Sequence, residues 1–379
     1  MLKTSHRAAV VHTIATARWL AVILCLCSAA ALLCPANSRV ITIRGVMRTS
    51  LKASDDRIVH VPAGVARLRL LVPQYPSFSA GPNQQKVAEC ATTFSISPDA
   101  RRSLTDRFGN HYIEAVWNRP RFTSVAVQTS AAIVLSLHAS AGRTVTYPIR
   151  RAALPLGLNA YLNPSPEVQC DQPAIRKVAA DILRMGATTS ESTVVTRVIA
   201  WVVDHIDYRA DNERFDALST LRSSSGDCTG YSHLALAILR AMGVPARLAV
   251  GISFQQPYSV SSGEHSYSME DQSLSGSLYH AWIQVYFPGE GWVECDPQGD
   301  FGLVDTRRVV FAVAADKDSL PEGRFISTHQ PLADPSAFSE DSTASVSIAL
   351  DEVELAEAPC GPDQGPKKEG VYMARAFEE

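Results

Sequence analysis

The sequence predicts an α+β protein, with a β-sandwich-like domain ahead of a core in which helices precede an antiparallel sheet. Three observations carry that reading. Apolar residues recur with a period near two from Arg39 to about Arg150, then with the period of helices from Pro173 to Met242, then with strand patterns again from Ala246 to Val313. With 379 residues, 46% hydrophobic and 19% charged, the chain is long enough for two domains plus ends, at a prior of about 150 residues per domain. A net charge of -3 gives no basic footprint for nucleic acid.

Taken in order, Lys3, His6, Arg7 and Arg18 precede the 16-residue apolar stretch Trp19 to Cys34, which holds Cys25 and Cys27 and is followed by Pro35, Ala36 and Asn37. Residues 1–36 therefore read as a secretory signal cleaved after Ala36, or as an uncleaved, tilted membrane tether. Export sets the expectation of an extracytoplasmic, disulfide-permitting environment. Residues 37–155 form the β-rich domain, with strands expected at Val40 to Val46, Val65 to Val72, Thr92 to Ile96, Tyr112 to Trp117, Thr123 to Val127, Ile133 to His138 and Thr144 to Ile149. Within it, Asp106 to Asn110 reads as an architectural turn, with Gly109 free to take positive φ.

A Pro-rich connection, Pro155 to Pro166, leads into a second domain at 164–330. Pro173 to Met185 carries Ile175, Val178, Ala179 and Ile182 on one helical stripe and stops at Gly186. Thr189 to Glu191 starts a second helix, whose buried face is Val195, Val198, Ile199, Val202 and Ile206. A third begins near Cys228 and stops at Gly243 and Pro245. Strands are expected at Ala246 to Phe254, His280 to Phe287, Trp292 to Cys295 and Val309 to Val313. Residues 331–379 hold eleven acidic and three basic side chains and read as a mobile, solvated tail, with Val346, Ile348 and Leu350 alternating as one candidate strand.

The chemistry concentrates at Ser223 to Leu234, where Cys228 stands in the first turn of an amphipathic helix just after Gly226 and Asp227. A helix N-terminus offers unpaired N–H groups and partial positive charge, which favour a thiolate and suit an oxyanion. Asp227 reads as the helix cap. A thiolate nucleophile needs a base, and the base an orienting partner. His280 and Asp296 open and close a hairpin around Pro288 to Gly291, which puts Asp296 opposite a residue between 280 and 284. Cys228, His280 and Asp296 thus fit a Cys-His-Asp triad if register brings the last two together.

These residues resemble the transglutaminase-like superfamily of papain-fold thiol enzymes, in its bacterial-type exported branch. The matching text is Gly226 to Tyr231, Leu239 to Arg247, His280 to Tyr286 and Gly291 to Pro297, in the family's order. The resemblance covers about Pro164 to Asp305 and implies a papain-like core with Cys228 as nucleophile, His280 as base and Asp296 as its orienter. It also implies acyl transfer or hydrolysis at a carboxamide or peptide bond of a protein or peptide substrate, with no cofactor. A looser likeness to the family's N-terminal domain rests on Gln85-Lys86-Val87 and on Asp106 to Asn110. Cys295 departs from the apolar residue the family more often carries before the Asp.

Other readings stand beside these. The triad is either an active catalyst or the vestige of a module that only binds. Trp282 and Trp292 read as packing residues; Tyr208 lines the cleft as an oxyanion donor or serves structure. His233 lies about 140° around the helix from Cys228 and is not the base. Metal-binding spacings are lacking; Glu264, His265, Glu270 and Asp271 are the weak alternative, in a Ser-rich loop from Tyr258 to Leu278 that reads as a flexible cleft border. Two disulfides are expectations: Cys90 with Cys170, and Cys295 with Cys360.

Overall fold

A computed structural model describes residues 41–359 except 79–80, 139–144, 189, 211–213, 255–257, 263–264, 270–278, 299–305 and 321–337. The N-terminal signal with Cys25, Cys27 and Cys34, and also Glu264, Glu270, Asp271 and Cys360, lie outside the described residues. Among the described residues no helix is long and apolar enough to cross a membrane.

The N-terminal domain holds β1 (Ile41–His60), β2 (Arg67–Pro73), β3 (Asn83–Phe94), β4 (Ala100–Thr105), β5 (His111–Asn118) and β6 (Ser124–His138). The central strand β6 buries every second side chain along its whole length. The expected strands at 123–127 and 133–138 are therefore one, because Thr129 and Ala131 keep the alternation through the polar middle. Of the expected strand at 144–149, the described residues 145–149 form a bridge from Thr146 to Ser190 and no longer strand.

The second domain adds α1 (Pro173–Arg184), α2 (Glu191–His205), β7 (Asp207–Tyr208), α3 (Ala217–Ser223), β8 (Ser225–Gly226), α4 (Cys228–Ala241), β9 (Ala246–Ser253), β10 (Tyr258–Ser262), β11 (His265–Met269), β12 (Tyr279–Phe287), β13 (Gly291–Cys295) and β14 (Arg308–Ala314). Its antiparallel sheet has the order β13-β12-β9-β14. Leu234, Ile238 and Leu239 of α4 meet Leu248, Ile283, Val285 and Val293 of that sheet in one core with α1 and α2. The Ser-rich stretch is not all loop: β10 and β11 pair, setting Tyr258 opposite Met269 and Val260 opposite Tyr267.

Within the acidic C-terminal segment, residues 339–359 depart from the expectation of a mobile tail. Ser339–Pro359 forms β15, paired antiparallel with β1 along its length, so the N-terminal sheet has the order β15-β1-β6-β3. The candidate strand at 346–350 sits in its middle. This sheet is long enough to serve two partners. One end, with Val59, Val125 and Val127, covers Leu68, Leu70 and Trp117 of the sheet β2-β5-β4, which makes the expected sandwich. The other end, with Leu51, Ala131, Ile133 and Leu135, packs on Ile252, Val309 and Phe311 of the second domain.

Polar contacts cross the same boundary. Thr49 donates to Thr306 at 2.8 Å, the Glu294 N–H donates to Asn83 Oδ1 at 3.3 Å, and the Tyr279 hydroxyl donates to Asp55. Asp55 also takes Arg57 Nε at 2.6 Å, while Arg57 Nη1 reaches Glu340 of β15 at 2.8 Å. A buried guanidinium between two carboxylates thus ties both ends of the described chain to the residue before His280.

Gly251 pairs with His280 on one side and Val310 on the other. A Cβ there would lie 1.9 Å from the Val309 carbonyl oxygen and 3.0 Å from the tip of the Trp282 ring. Backbone cannot yield as a flexible side chain does, so Gly251→Ala is expected to cost at least about 2 kcal/mol, measured by denaturant unfolding. Wild-type stability in that variant would contradict the close approach of β14.

Candidate active site

Cys228 is the first residue of α4 and is half-buried. The cap is Asp227, whose carboxylate accepts from the Gly230 N–H at 2.9 Å. The two glycines of this segment have a packing reason. A Cβ at Gly230 would lie 2.8 Å from Thr220 Oγ1, and one at Gly226 would lie 3.1 Å from Thr220 Cγ2. Without side chains there, α3 closes against the start of α4.

Hairpin register decides whether the base meets its partner. Ile283 pairs with Cys295 and Gln284 with Glu294, so Asp296 comes opposite Trp282 and shares a face with His280, two residues further along. A diagonal neighbour on one face is within reach of a long side chain. His280 Nε2 and Asp296 Oδ2 are 2.6 Å apart, and Cys228 lies close enough to the His280 ring to help raise its pKa. The three sequence-predicted residues are therefore adjacent in space, with the imidazole between thiol and carboxylate.

The sequence reading missed Arg308. Its Nη2 donates to Asp296 Oδ2 at 2.7 Å, and the Gln298 N–H donates to Asp296 Oδ1 at 3.0 Å. Arg308 opens β14, two strands from β12, and only the sheet order brings it to the carboxylate. Burial raises the Asp296 pKa, yet Arg308 and His280 outweigh it and hold the carboxyl well below its usual range. Burial lowers that of His280, but the Asp296 charge and hydrogen bond, with a contribution from Cys228, push it up to about 9.

Below these residues the same face carries a buried polar chain. Glu294 accepts from Gln284 Nε2 at 3.0 Å and from Trp282 Nε1 at 3.3 Å, and Gln284 Oε1 accepts from Arg247 at 2.8 Å. Burial pushes Glu294 up to about 7 despite these donors. Trp282 is fully buried, and Trp292 packs edge-on against Tyr161 and Tyr286, so both rings serve packing. The opposite face of the hairpin, Ala281, Ile283, Val285, Val293 and Cys295, belongs to the helix-covered core. Cys295 thus fills an apolar position.

His233 is fully buried, 2.7 Å from the Phe215 carbonyl through Nδ1, and accepts from the Lys317 N–H at Nε2. Burial lowers its value to about 4, which keeps it neutral and in one tautomer. Tyr208 is 58% exposed beside Gly226, and its phenol is held above its ordinary value by partial burial and by the negative groups at Cys228 and Asp227. The Cys90–Cys170 disulfide does not form. Cys90 is an exposed thiol on β3, and Cys170 is buried near the Leu162 carbonyl in the other domain. No group of three or more His, Cys, Asp or Glu side chains suited to a metal occurs among the described residues.

Comparison with known proteins agrees with this core. The model of the Transglutaminase-like superfamily matches residues 176–297. The kyphoscoliosis peptidase of Mus musculus is 28% identical over 171 residues, 42% of this chain and 24% of that protein. The uncharacterized protein YebA of Bacillus subtilis (strain 168) is 26% identical over 136 residues, 34% of this chain and 16% of that protein. The chain thus spans a quarter or less of these relatives. A solved structure of a candidate cysteine protease from Cytophaga hutchinsonii shares the fold at a TM-score of 0.58 and 16% identity, over 89% of this chain and 97% of that one.

The raised His280 value and lowered Asp296 value have opposite signs in pH. The His280 contribution to stability is full below its unfolded value of about 6.5 and is lost as pH rises through about 9. The Asp296 contribution is present above its unfolded value of about 3.9 and is lost as pH falls through its lower folded one. In Asp296→Asn, the His280 midpoint read by ring NMR is expected to fall from about 9 toward or below about 6.5, since burial then acts with less opposition. A midpoint that stays near the wild-type value would mean the carboxylate is not what raises it. With helices packed on an antiparallel sheet and a cysteine at the start of α4, residues 176–297 form a core that is similar to the Transglutaminase-like superfamily over about a third of the chain.

Proposed function

We propose that the chain is an exported thiol enzyme that forms a thioester on Cys228 at a carboxamide or peptide carbonyl of a protein or peptide substrate. The observation that carries this reading is His280 standing between the Cys228 thiol and the Asp296 carboxylate. Export rests on the N-terminal sequence alone, the basic residues and apolar stretch that precede Ala36.

In this reading Cys228 and His280 start as thiolate and imidazolium. The Cys228 sulfur attacks the carbonyl carbon, a C–S bond forms, and the carbonyl π pair moves to oxygen. First-turn N–H groups of a helix have no intrahelical acceptor. Asp227 takes that of Gly230, and we assign that of Cys228 to the developing oxyanion. The intermediate collapses, the C–N bond breaks, and the leaving amine takes the His280 proton. An amine or water then attacks the thioester and gives its proton to His280 as the C–S bond breaks and the thiolate returns. Asp296, fixed by Arg308, keeps the imidazole oriented throughout.

At pH 7 Cys228 is expected to react with iodoacetamide at least about tenfold faster than free cysteine, which is only a few per cent thiolate there. Cys228→Ala should remove that label, His280→Ala should slow it, and incubation with a peptide mixture should leave an acyl adduct on Cys228 detectable by mass spectrometry. A wild-type thiol no faster than free cysteine, with no adduct, would favour a binding module with a vestigial triad.

A further inference from the structure

Gln85 and Asn110 belong to the two N-terminal phrases that the chemistry of the triad leaves unexplained. Both side chains are buried, and both end on the same strand of the other domain. Strand β14 is the terminal strand of the second domain's sheet, so the N–H and C=O groups on its outer side need partners from elsewhere.

The two amides supply them with one repeated geometry. Gln85 Nε2 donates to the Val310 carbonyl at 3.0 Å, and its Oε1 accepts the Val310 N–H at 2.9 Å. Asn110 Nδ2 donates to the Val313 carbonyl at 2.7 Å, and its Oδ1 accepts the Val313 N–H at 2.9 Å. Each amide spends its second N–H within its own domain, Gln85 on the Pro76 carbonyl at 2.8 Å and Asn110 on Asp106 at 2.8 Å. Both are thereby fixed in orientation.

Their own backbones are held as well. Gln85 exchanges two backbone hydrogen bonds with Phe78, and the Asp106 carboxylate takes the N–H groups of Phe108 and Asn110 across the turn at Gly109, where φ is 86°. Between the two clamped residues, β14 bulges against β9 at Val310 to Ala312. An irregular terminal strand, gripped on either side of its bulge, carries Arg308 at its first position.

We infer that Gln85 and Asn110 are positioning residues for the candidate active site, acting as a side-chain substitute for a neighbouring strand that holds β14, and with it Arg308, in place against Asp296. The inference rests on the proposed thiol chemistry for its meaning but not for its geometry. Arg308 reaches Asp296 across β9 and β12, so a shift of β14 moves the guanidinium directly. A misplacement of about 1 Å at such a site costs up to about a hundredfold in rate.

The test uses the full chain and two readouts, iodoacetamide labelling of Cys228 at pH 7 and the His280 midpoint from ring NMR. The variants are Gln85→Ala, Asn110→Ala, Arg308→Met, each amide variant combined with Arg308→Met, and Val125→Ala in the sandwich core as a stability control. Each amide variant is expected to slow labelling by about 10- to 100-fold and to move the His280 midpoint toward its Arg308→Met value. Neither should add to the loss in the Arg308→Met background. Val125→Ala should lower the melting temperature and leave both readouts unchanged. An unmoved His280 midpoint in both amide variants overturns the inference whether or not Cys228 is reactive, and so does a loss that multiplies with Arg308→Met. A wild-type thiol no faster than free cysteine instead overturns the thiol-enzyme reading, and the NMR readout still decides the positioning.

Discussion

The site depends on one buried charge, the Asp296 carboxylate. Taking a carboxylate out of water costs several kcal/mol even after the protein relaxes, and the ion stays charged only where donors replace its hydration. Asp296 has three of them: His280 and Arg308 on Oδ2, and the Gln298 N–H on Oδ1. Each comes from a different segment. The hairpin register delivers His280, the turn after β13 delivers Gln298, and β14 delivers Arg308. The carboxylate therefore makes the geometry of three backbone segments interdependent, and an error in any one removes a donor from the buried charge.

That dependence explains why the two domains share polar as well as apolar contacts. A purely apolar boundary such as Leu51, Ile133, Ile252 and Phe311 holds surfaces together but tolerates small slides. Hydrogen bonds do not tolerate them. The Tyr279 hydroxyl on Asp55 fixes the residue before His280, and the Glu294 N–H on Asn83 fixes a strand position two before Asp296. Because Asp55 is held by Arg57, and Arg57 by Glu340, the C-terminal strand takes part in locating the base.

Much of this was legible in the sequence, and what was not has a common cause. Cys228, its cap Asp227 and the apolar stripe of α4 lie within one local period, so helical spacing alone placed them. The hairpin from His280 to Asp296 was legible because a turn sequence sits between two alternating strands. Arg308 was not, since nothing near it says that β14 lies beyond β9. The same limit applies to β15. Its acidic composition reads as a solvated end, yet a strand on a sheet edge tolerates charge, which also discourages pairing with another chain. The split of β6 into two expected strands was a local error, where polar residues masked an alternation that continues through Thr129 and Ala131. Long-range pairing, not propensity, settled each of these cases.

The charges of the site act on one another at close range. His280 and Arg308 both reach the carboxylate of Asp296 in a region largely closed to water. Cys228 contributes to the raised value of His280 from the other side of the ring. Glu294 also feels Arg308, and burial pushes it up to about 7, so below neutrality it is largely protonated. Above neutrality a carboxylate at Glu294 competes with Asp296 for Arg308. The buried chain from Arg247 through Gln284 meets that added charge, because Gln284 already donates to Glu294 while its own oxygen accepts from the guanidinium. The polar residues beneath the hairpin thus offer that charge donors other than Arg308.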